Sequence, residues 1–114
     1  MMSNVTSIAE LRVPPNNRLE KLRNIHPGEV LKEEFLTPMG ITAYRLAKDI
    51  GLSQTRISEI IRSQRGVTAE TALRLGKYFG VSPRFWLGLQ DDFDLEKEER
   101  AHRKEIEAIR PVSA

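Results

Sequence analysis

The 114-residue sequence contains no cysteine, only two histidines and no long uninterrupted apolar run. Without cysteine the chain can form no disulfide scaffold, thiol nucleophile or thiolate metal site, and it suits a reducing cytoplasm, which is the predicted location. The short apolar runs exclude a transmembrane helix and a signal-peptide core, so we predict no membrane association. The two histidines are far apart in sequence, which argues against a histidine-rich metal centre. We therefore predict that the protein has no metal and no cofactor.

The residues that enzymes need are also missing. No glycine-rich phosphate loop is present, and neither histidine has a serine or aspartate arranged with it as a nucleophile system. His26 precedes Pro27 and is predicted to cap a helix, whereas His102 is predicted to be solvated. The acidic run Asp91, Asp92 and Asp94 lacks the glycine and the terminal glutamate of a calcium-binding loop. Because no constellation meets the geometric requirements of an active site, we predict that the protein is not an enzyme.

Charge is distributed unevenly along the chain. The formal net charge is only +2, but residues 1–90 carry 13 Lys or Arg against 8 Asp or Glu, a balance of +5. Residues 91–114 carry 5 Lys or Arg against 8 Asp or Glu, a balance of −3. A basic body followed by an acidic segment indicates either two surfaces with different partners or two ordinary solvated faces.

The sequence divides into three regions. Residues 1–24 are predicted to be a flexible tail, because apolar residues are sparse and Pro14-Pro15-Asn16-Asn17 interrupts any periodicity. Residues 25–90 are predicted to form one folded domain. Residues 91–114 are predicted to be a charged helical extension, in which Phe93, Leu95, Ile106 and Ile109 are the few apolar anchors.

The folded region has regular helix punctuation and no strand pattern longer than a few residues. A first helix is predicted from Pro27 to the step at Thr37–Gly40. Thr42, Ser53, Thr68 and Ser82 are good N-caps for four more, and Gly51 and Gly80 are good helix terminators. The helix capped by Thr68 has Ala69, Ala72, Leu73, Leu75 and Phe79 available for burial. We predict an all-α domain of about five helices.

The helices after Thr42 and Ser53 are separated by a very short turn that contains Gly51, which is the layout of a helix-turn-helix. Projected onto a wheel, Ile57, Ile60 and Ile61 share the face toward the core. Polar side chains lie on or beside the opposite face, and one of them, Gln54, lies in the first turn of the helix. They are Gln54, Thr55, Arg56, Ser58, Glu59, Arg62 and Ser63. Gln, Arg and Thr suit adenine, guanine and the thymine methyl group in the major groove of DNA. Glu59 is predicted to accept from a cytosine amino group or to pair with Arg56 or Arg62.

Positive charge is concentrated around the same helix pair. Residues 42–65 carry five basic and two acidic side chains. Arg45 and Lys48 on the first helix and Arg65 in the following loop could clamp phosphates on either side of the groove. The helix N-termini at Thr42, Ser53 and Thr68 offer further backbone N–H groups to phosphate. A helical bundle with an ordinary polar surface would account for the same pattern, so the residues alone leave both interpretations open.

A series of motifs resembles the HigA-type antitoxins of type II toxin–antitoxin systems, in the Cro/repressor (XRE-like) helix-turn-helix superfamily. The motifs are HPGE at 26–29, the step Leu36-Thr37-Pro38-Met39-Gly40, the helix-turn-helix, TAETALRLGKYFG at 68–80 and SPRFWLGLQ at 82–90. They occur in the order and spacing of the family and span about residues 25–90. The resemblance implies a five-helix DNA-binding domain of the lambda-repressor type.

The resemblance also carries expectations about function. The family usually forms homodimers that bind double-stranded operator DNA in the major groove, repress their own operon and hold a small RelE-like (HigB-type) ribonuclease toxin inactive. Its base-reading positions fall on Gln54, Thr55 and Glu59, with Ser53, Arg56 and Arg62 beside them. Trp86 is expected to be a buried anchor. A stand-alone Cro/repressor-type regulator with no toxin partner is the alternative, because it would share every DNA-binding feature.

Overall fold

The structure is a computed structural model, and it describes residues 23–113. The described part of the chain is helical and contains no strand, which confirms the predicted fold class. The first helix, α1, consists of three consecutive segments: α-helical Pro27–Val30, π-helical Leu31–Leu36 and α-helical Thr37–Met39. The others are α2 (Ala43–Ile50), α3 (Gln54–Ile61), α4 (Ala69–Phe79), α5 (Pro83–Ala101) and α6 (Arg103–Glu107). No helix among residues 23–113 is long and apolar enough to cross a membrane.

Hydroxyl side chains begin four of the helices, as the sequence predicts. In each case the hydroxyl oxygen accepts a hydrogen bond from a backbone N–H of the first turn, which would otherwise have no partner in the helix. The pairs are Thr42 with Arg45 N (3.0 Å), Ser53 with Arg56 N (3.0 Å), Thr68 with Thr71 N (3.3 Å) and Ser82 with Arg84 N (3.1 Å). The starts of α2 to α5 are therefore encoded locally.

His26 caps α1, which confirms its predicted role. Its Nδ1 accepts a hydrogen bond of 2.9 Å from the backbone N–H of Gly28, and the side chain is buried. Its ring meets Phe93 edge-on, with 4.8 Å between the ring centroids. Burial lowers the pKa of His26, while the negative charges of Asp94 and Glu29 act in the opposite direction. The cap thus also joins the start of α1 to α5.

The core lies between α1 to α4 and the first half of α5. Trp86 is fully buried and packs against Phe35 and Phe85, at ring-centroid distances of 5.0 and 5.1 Å. This confirms the expectation that Trp86 is an anchor of the fold. The prediction that Leu73 is available for burial is wrong, since 60% of its surface is exposed. It lies between Ala72 and Leu75, which are buried, but on the outer side of α4.

Residue 90 marks no break in the backbone, because α5 continues from Pro83 to Ala101. Gln90 accepts a hydrogen bond of 2.7 Å from the backbone N–H of Val67, which ties this part of α5 to the loop before α4. Beyond Phe93 the apolar side chains of the extension are largely exposed. Residues 1–22 of the predicted tail lie outside the described residues. Asn24, which the sequence places in that tail, donates a hydrogen bond of 2.7 Å to the carbonyl oxygen of Phe93.

Candidate nucleic-acid interface

A tight turn joins α2 to α3. Gly51 has φ 76°, in the left-handed region that favours glycine, and so ends α2 as predicted. The N–H groups of Gly51 and Leu52 both donate to the carbonyl oxygen of Ala47, at 2.9 and 3.0 Å. Ser53 then caps α3 directly. The connection between the helices therefore takes only three residues, and Ala47 of α2 is buried in the same core cluster as Ile57 and Ile60 of α3.

Helix α3 has one buried and one exposed face, as the wheel predicts. Ile57 and Ile60 are buried and Ile61 is partly buried against the core. Gln54, Thr55 and Arg62 are exposed, whereas Arg56, Ser58 and Glu59 are partly exposed. We call the outward-facing set the recognition surface: Gln54, Thr55, Arg56, Ser58, Glu59 and Arg62. These side chains offer amide, hydroxyl, carboxylate and guanidinium groups, which are the groups that read base edges.

The backbone of α1 approaches the backbone of α3 with no side chain between them. A Cβ atom placed on Gly28 would lie 1.7 Å from the carbonyl oxygen of Ile60. Only a glycine allows this approach, because a methyl group there would overlap the backbone. Helix α3 therefore packs against two neighbours, α2 and, through Gly28, α1. A rigid support of this kind fixes the position of the recognition surface.

Three of the predicted DNA-binding arginines pair with carboxylates, and two of these pairs involve α3 or the loop that follows it. Arg65 Nε donates to Glu59 Oε1 at 2.7 Å, so of the two predicted alternatives for Glu59, the pairing with Arg56 or Arg62 is wrong. The turn after α3 brings Arg65 back over Glu59, six residues earlier, a contact that helical spacing cannot show. Arg56 Nη1 instead lies 3.6 Å from Glu70 Oε1, in the first turn of α4.

At the C-terminal end of α3 the chain leaves the helix over Arg62 and Ser63. Ser63 has φ 62°, the one positive value outside glycine among the described residues. Arg62 Nη2 donates to Gln64 Oε1 at 3.3 Å, and both residues are exposed. Arg62 therefore lies at the solvent side of the recognition surface, and within residues 23–113 it makes no hydrogen bond to a carboxylate.

The residues predicted on α2 lie at its exposed side. Thr42 and Lys48 are exposed, and Arg45 Nε donates to Asp49 Oδ2 at 3.3 Å. The Tyr78 hydroxyl also donates to Asp49 Oδ2, at 2.6 Å. This hydrogen bond is the main cause that lowers the pKa of Asp49 and raises the pKa of Tyr78. The structure thus ties Arg45 to α4 through one shared carboxylate.

Sequence reasoning missed Arg74 and Glu70. Arg74 Nη1 donates to the carbonyl oxygen of Ile50 at 2.7 Å and lies 3.5 Å from that of Gly51, so it satisfies the end of α2. Its Nη2 donates to Glu70 Oε2 at 2.9 Å. The i,i+4 spacing of Glu70 and Arg74 is a visible signal for their own pairing, but the contact with the turn depends on how α4 crosses α2.

Comparison with known proteins agrees with this geometry. A family model described as Helix-turn-helix matches residues 31–86. Virulence-associated protein I of Dichelobacter nodosus is 51% identical over 89 residues, which cover 78% of this chain and 82% of that protein. Antitoxin HigA-1 of Vibrio cholerae is 38% identical over 96 residues, which cover 83% of this chain and 90% of that protein.

Among solved structures, Pseudomonas aeruginosa antitoxin HigA with the higBA promoter is 40% identical, with a TM-score of 0.76. The match covers 80% of this chain and 100% of that one. The fold and the helix pair thus define a helix-turn-helix protein of the Cro/repressor class. Within that class the chain belongs to the HigA antitoxin family, a family of DNA-binding regulators rather than of enzymes.

Proposed function

We propose that this protein is a sequence-specific DNA-binding antitoxin that represses its own toxin–antitoxin operon. The observation that carries the proposal is the recognition surface, a polar face of α3 supported from behind by the buried Ile57 and Ile60. A relative of similar sequence and fold is described with its promoter, which supports DNA as the ligand. A helix held rigidly by two neighbours can present side chains to the major groove in one fixed arrangement.

The proposed roles follow from side-chain chemistry and position. Gln54, Thr55 and Arg62 are exposed on α3, so we assign them to base edges, with Glu59 accepting from cytosine once Arg65 turns to phosphate. The remaining residues are assigned to phosphate contacts or to their support, because they lie at helix N-termini, carry positive charge or, in the case of Ser58, offer a hydroxyl group beside the base-reading positions. They are Thr42, Arg45, Lys48, Ser53, Arg56, Ser58 and Arg65.

A homodimer would place two copies of α3 in successive major grooves about one helical turn apart. Repression follows because the bound dimer covers the promoter. Two half-sites also raise specificity, since both copies must find matching bases. A monomer in solution that also binds operator as a single copy would contradict this part of the proposal, and analytical ultracentrifugation with and without DNA measures both.

Neutralisation of a RelE-like ribonuclease toxin is the second part of the proposed function. Residues 91–107 carry 8 acidic against 4 basic side chains, and most of them are exposed on α5 and α6. Such a surface attracts a small basic protein. The antitoxin would act by blocking the toxin's active site or by holding its catalytic residues out of position, and proteolysis of the antitoxin would release the toxin.

The alternative is a stand-alone repressor, which would use the same recognition surface without a toxin. Co-expression with the product of a small neighbouring gene distinguishes the two. Rescue of cell growth and co-purification of a stoichiometric complex support the antitoxin. Growth arrest that the protein fails to relieve, with no complex, supports the stand-alone repressor.

DNA binding is tested by fluorescence anisotropy at several salt concentrations. The purified protein is titrated onto a duplex from upstream of its own gene and onto a random duplex of the same length. We expect binding to the upstream duplex to persist at salt concentrations that abolish binding to random DNA. Equal and steeply salt-sensitive binding to both duplexes would contradict sequence-specific recognition, because it reports only phosphate contacts.

A further inference from the structure

The arginine of the recognition surface nearest to α4 is held by a carboxylate that is itself anchored. Glu70 Oε1 lies 3.6 Å from Arg56 Nη1, and Glu70 Oε2 accepts from Arg74 Nη2 at 2.9 Å. Arg74 in turn donates at 2.7 Å to the carbonyl oxygen of Ile50, at the end of α2. The chain of contacts therefore runs from the recognition surface through α4 to the helix-turn-helix turn.

This arrangement restricts both members of the ion pair. Glu70 lies in the first turn of α4, where the helix dipole favours its negative charge. With one oxygen bonded to Arg74, the other oxygen is directed at Arg56. About one third of the Arg56 side chain is exposed, so its guanidinium is accessible while it remains paired.

We propose that Glu70 limits the affinity for DNA by competing with DNA phosphate for Arg56. The inference rests on the proposed DNA-binding function and deepens it. A phosphate that approaches Arg56 must displace Glu70, and the released carboxylate then stays nearby and repels the phosphate. The ion pair therefore weakens binding to any duplex, random or operator, on which Arg56 contacts a phosphate.

The anchoring distinguishes Glu70 from Glu59, which is the other carboxylate on this face. Glu59 pairs with Arg65 at 2.7 Å, but both residues belong to α3 and the loop that follows it, and within residues 23–113 no second basic group pairs with Glu59. Glu59 can thus turn with Arg65 toward the DNA. Glu70 cannot follow Arg56 without breaking its hydrogen bond to Arg74, so the cost of releasing Arg56 is larger.

The first test compares Glu70→Gln with wild type on random duplex and on upstream duplex, by anisotropy across a salt series. Exposed ion pairs contribute up to about 1 kcal/mol, so we expect affinity for random duplex to rise about twofold to fivefold. The salt dependence of log K should steepen by about 0.9, the value for one additional phosphate contact. Affinity for the upstream duplex should rise by a similar factor, because the same ion pair opposes the phosphate contact there.

Two further variants make the test specific. Glu99→Gln removes the same charge from the exposed far part of α5 and controls for net charge alone. Arg56→Gln combined with Glu70→Gln should abolish the gain, because the effect of Glu70 passes through Arg56. An equal gain from Glu99→Gln, or a gain that survives in the double variant, would overturn the proposal. Thermal unfolding of each variant identifies any loss that comes from folding.

The outcomes also separate this inference from the proposed function. Equal wild-type affinity for both duplexes contradicts operator recognition, yet the steeper salt dependence of Glu70→Gln on random duplex still supports competition at Arg56. Operator preference with no change in Glu70→Gln keeps the proposed function and overturns the inference. Absence of binding to either duplex at low salt, by wild type and variant alike, contradicts both.

Discussion

The helix-turn-helix and the end of the chain are both helical, but they are stabilised in different ways. Helices α2 and α3 have hydroxyl N-caps at Thr42 and Ser53 and buried apolar faces. The last turns of α5 and all of α6 bury no residue, and the ion pairs there include local ones such as Arg100 with Glu96 and His102 with Glu98. The first region is fixed by tertiary packing, whereas the second depends on local interactions.

This difference has a consequence for function. A surface that reads bases needs a fixed geometry, which buried contacts provide. A surface that attracts a partner through charge does not need the same rigidity. Its exposed ion pairs also contribute little to stability individually. Exposed apolar side chains such as Leu95 and Ile109 are also available to a partner in the second region.

The largest expected effect distinguishes the two regions directly. Trp86→Ala should lower the free energy of unfolding by about 3–5 kcal/mol, because it removes a fully buried indole from the aromatic core. Leu95→Ala is the matched truncation in the extension and should change it by less than about 0.5 kcal/mol, since 69% of Leu95 is exposed. Urea denaturation of the two variants measures both. Similar losses would mean that the extension is packed as tightly as the core.

The second prediction concerns the turn between α2 and α3. Gly51→Val should destabilise the fold by about 1–3 kcal/mol, because a β-branched residue is strained at φ 76°. Gly88→Ala is the control, since a Cβ there meets no atom within 4 Å and alanine favours a helix interior. Thermal melting compares the two. An unchanged melting temperature for Gly51→Val would be incompatible with the left-handed conformation.

The third prediction tests the recognition surface without affecting the fold. Arg62→Ala should cost about 1–3 kcal/mol on operator DNA and relax the preference at one base pair, if Arg62 reads guanine. Arg103→Ala removes the same charge from α6 and should leave base preference unchanged. Binding to a set of operators with single base changes gives the readout. A uniform loss on every sequence would assign Arg62 to phosphate.

The smallest expected effect is a pH dependence of stability. The pKa of His26 is lower in the folded state than its usual 6.5, so below about pH 6.5 the unfolded chain binds a proton that the folded chain does not. Stability should therefore fall as the pH drops from about 6.5 toward the folded pKa. His26→Asn keeps a capping oxygen and should remove this component. Urea midpoints at pH 7.5 and 5.5 measure it, and identical pH dependence in both proteins would contradict it.

Most of the fold was predictable because it is encoded over short distances. A hydroxyl caps the N–H groups two or three residues ahead of it, and a glycine ends the helix that precedes it, so Thr42, Ser53 and Gly51 could be placed from sequence. The buried face of α3 followed from the spacing of Ile57 and Ile60. The predicted burial of Leu73 was wrong because the apolar spacing on α4 does not indicate which of several apolar residues the neighbouring helices cover.

The helices, their ends and the residue types on the outer face of α3 can be read from the sequence. The pairs that form when the helices pack cannot: Arg56 with Glu70, Arg65 with Glu59, and Arg74 with the carbonyl oxygen of Ile50. The two kinds of contact differ in their range along the chain. Caps and helical periodicity act within a few residues, whereas the partner of a long charged side chain depends on the crossing of helices that are distant along the chain.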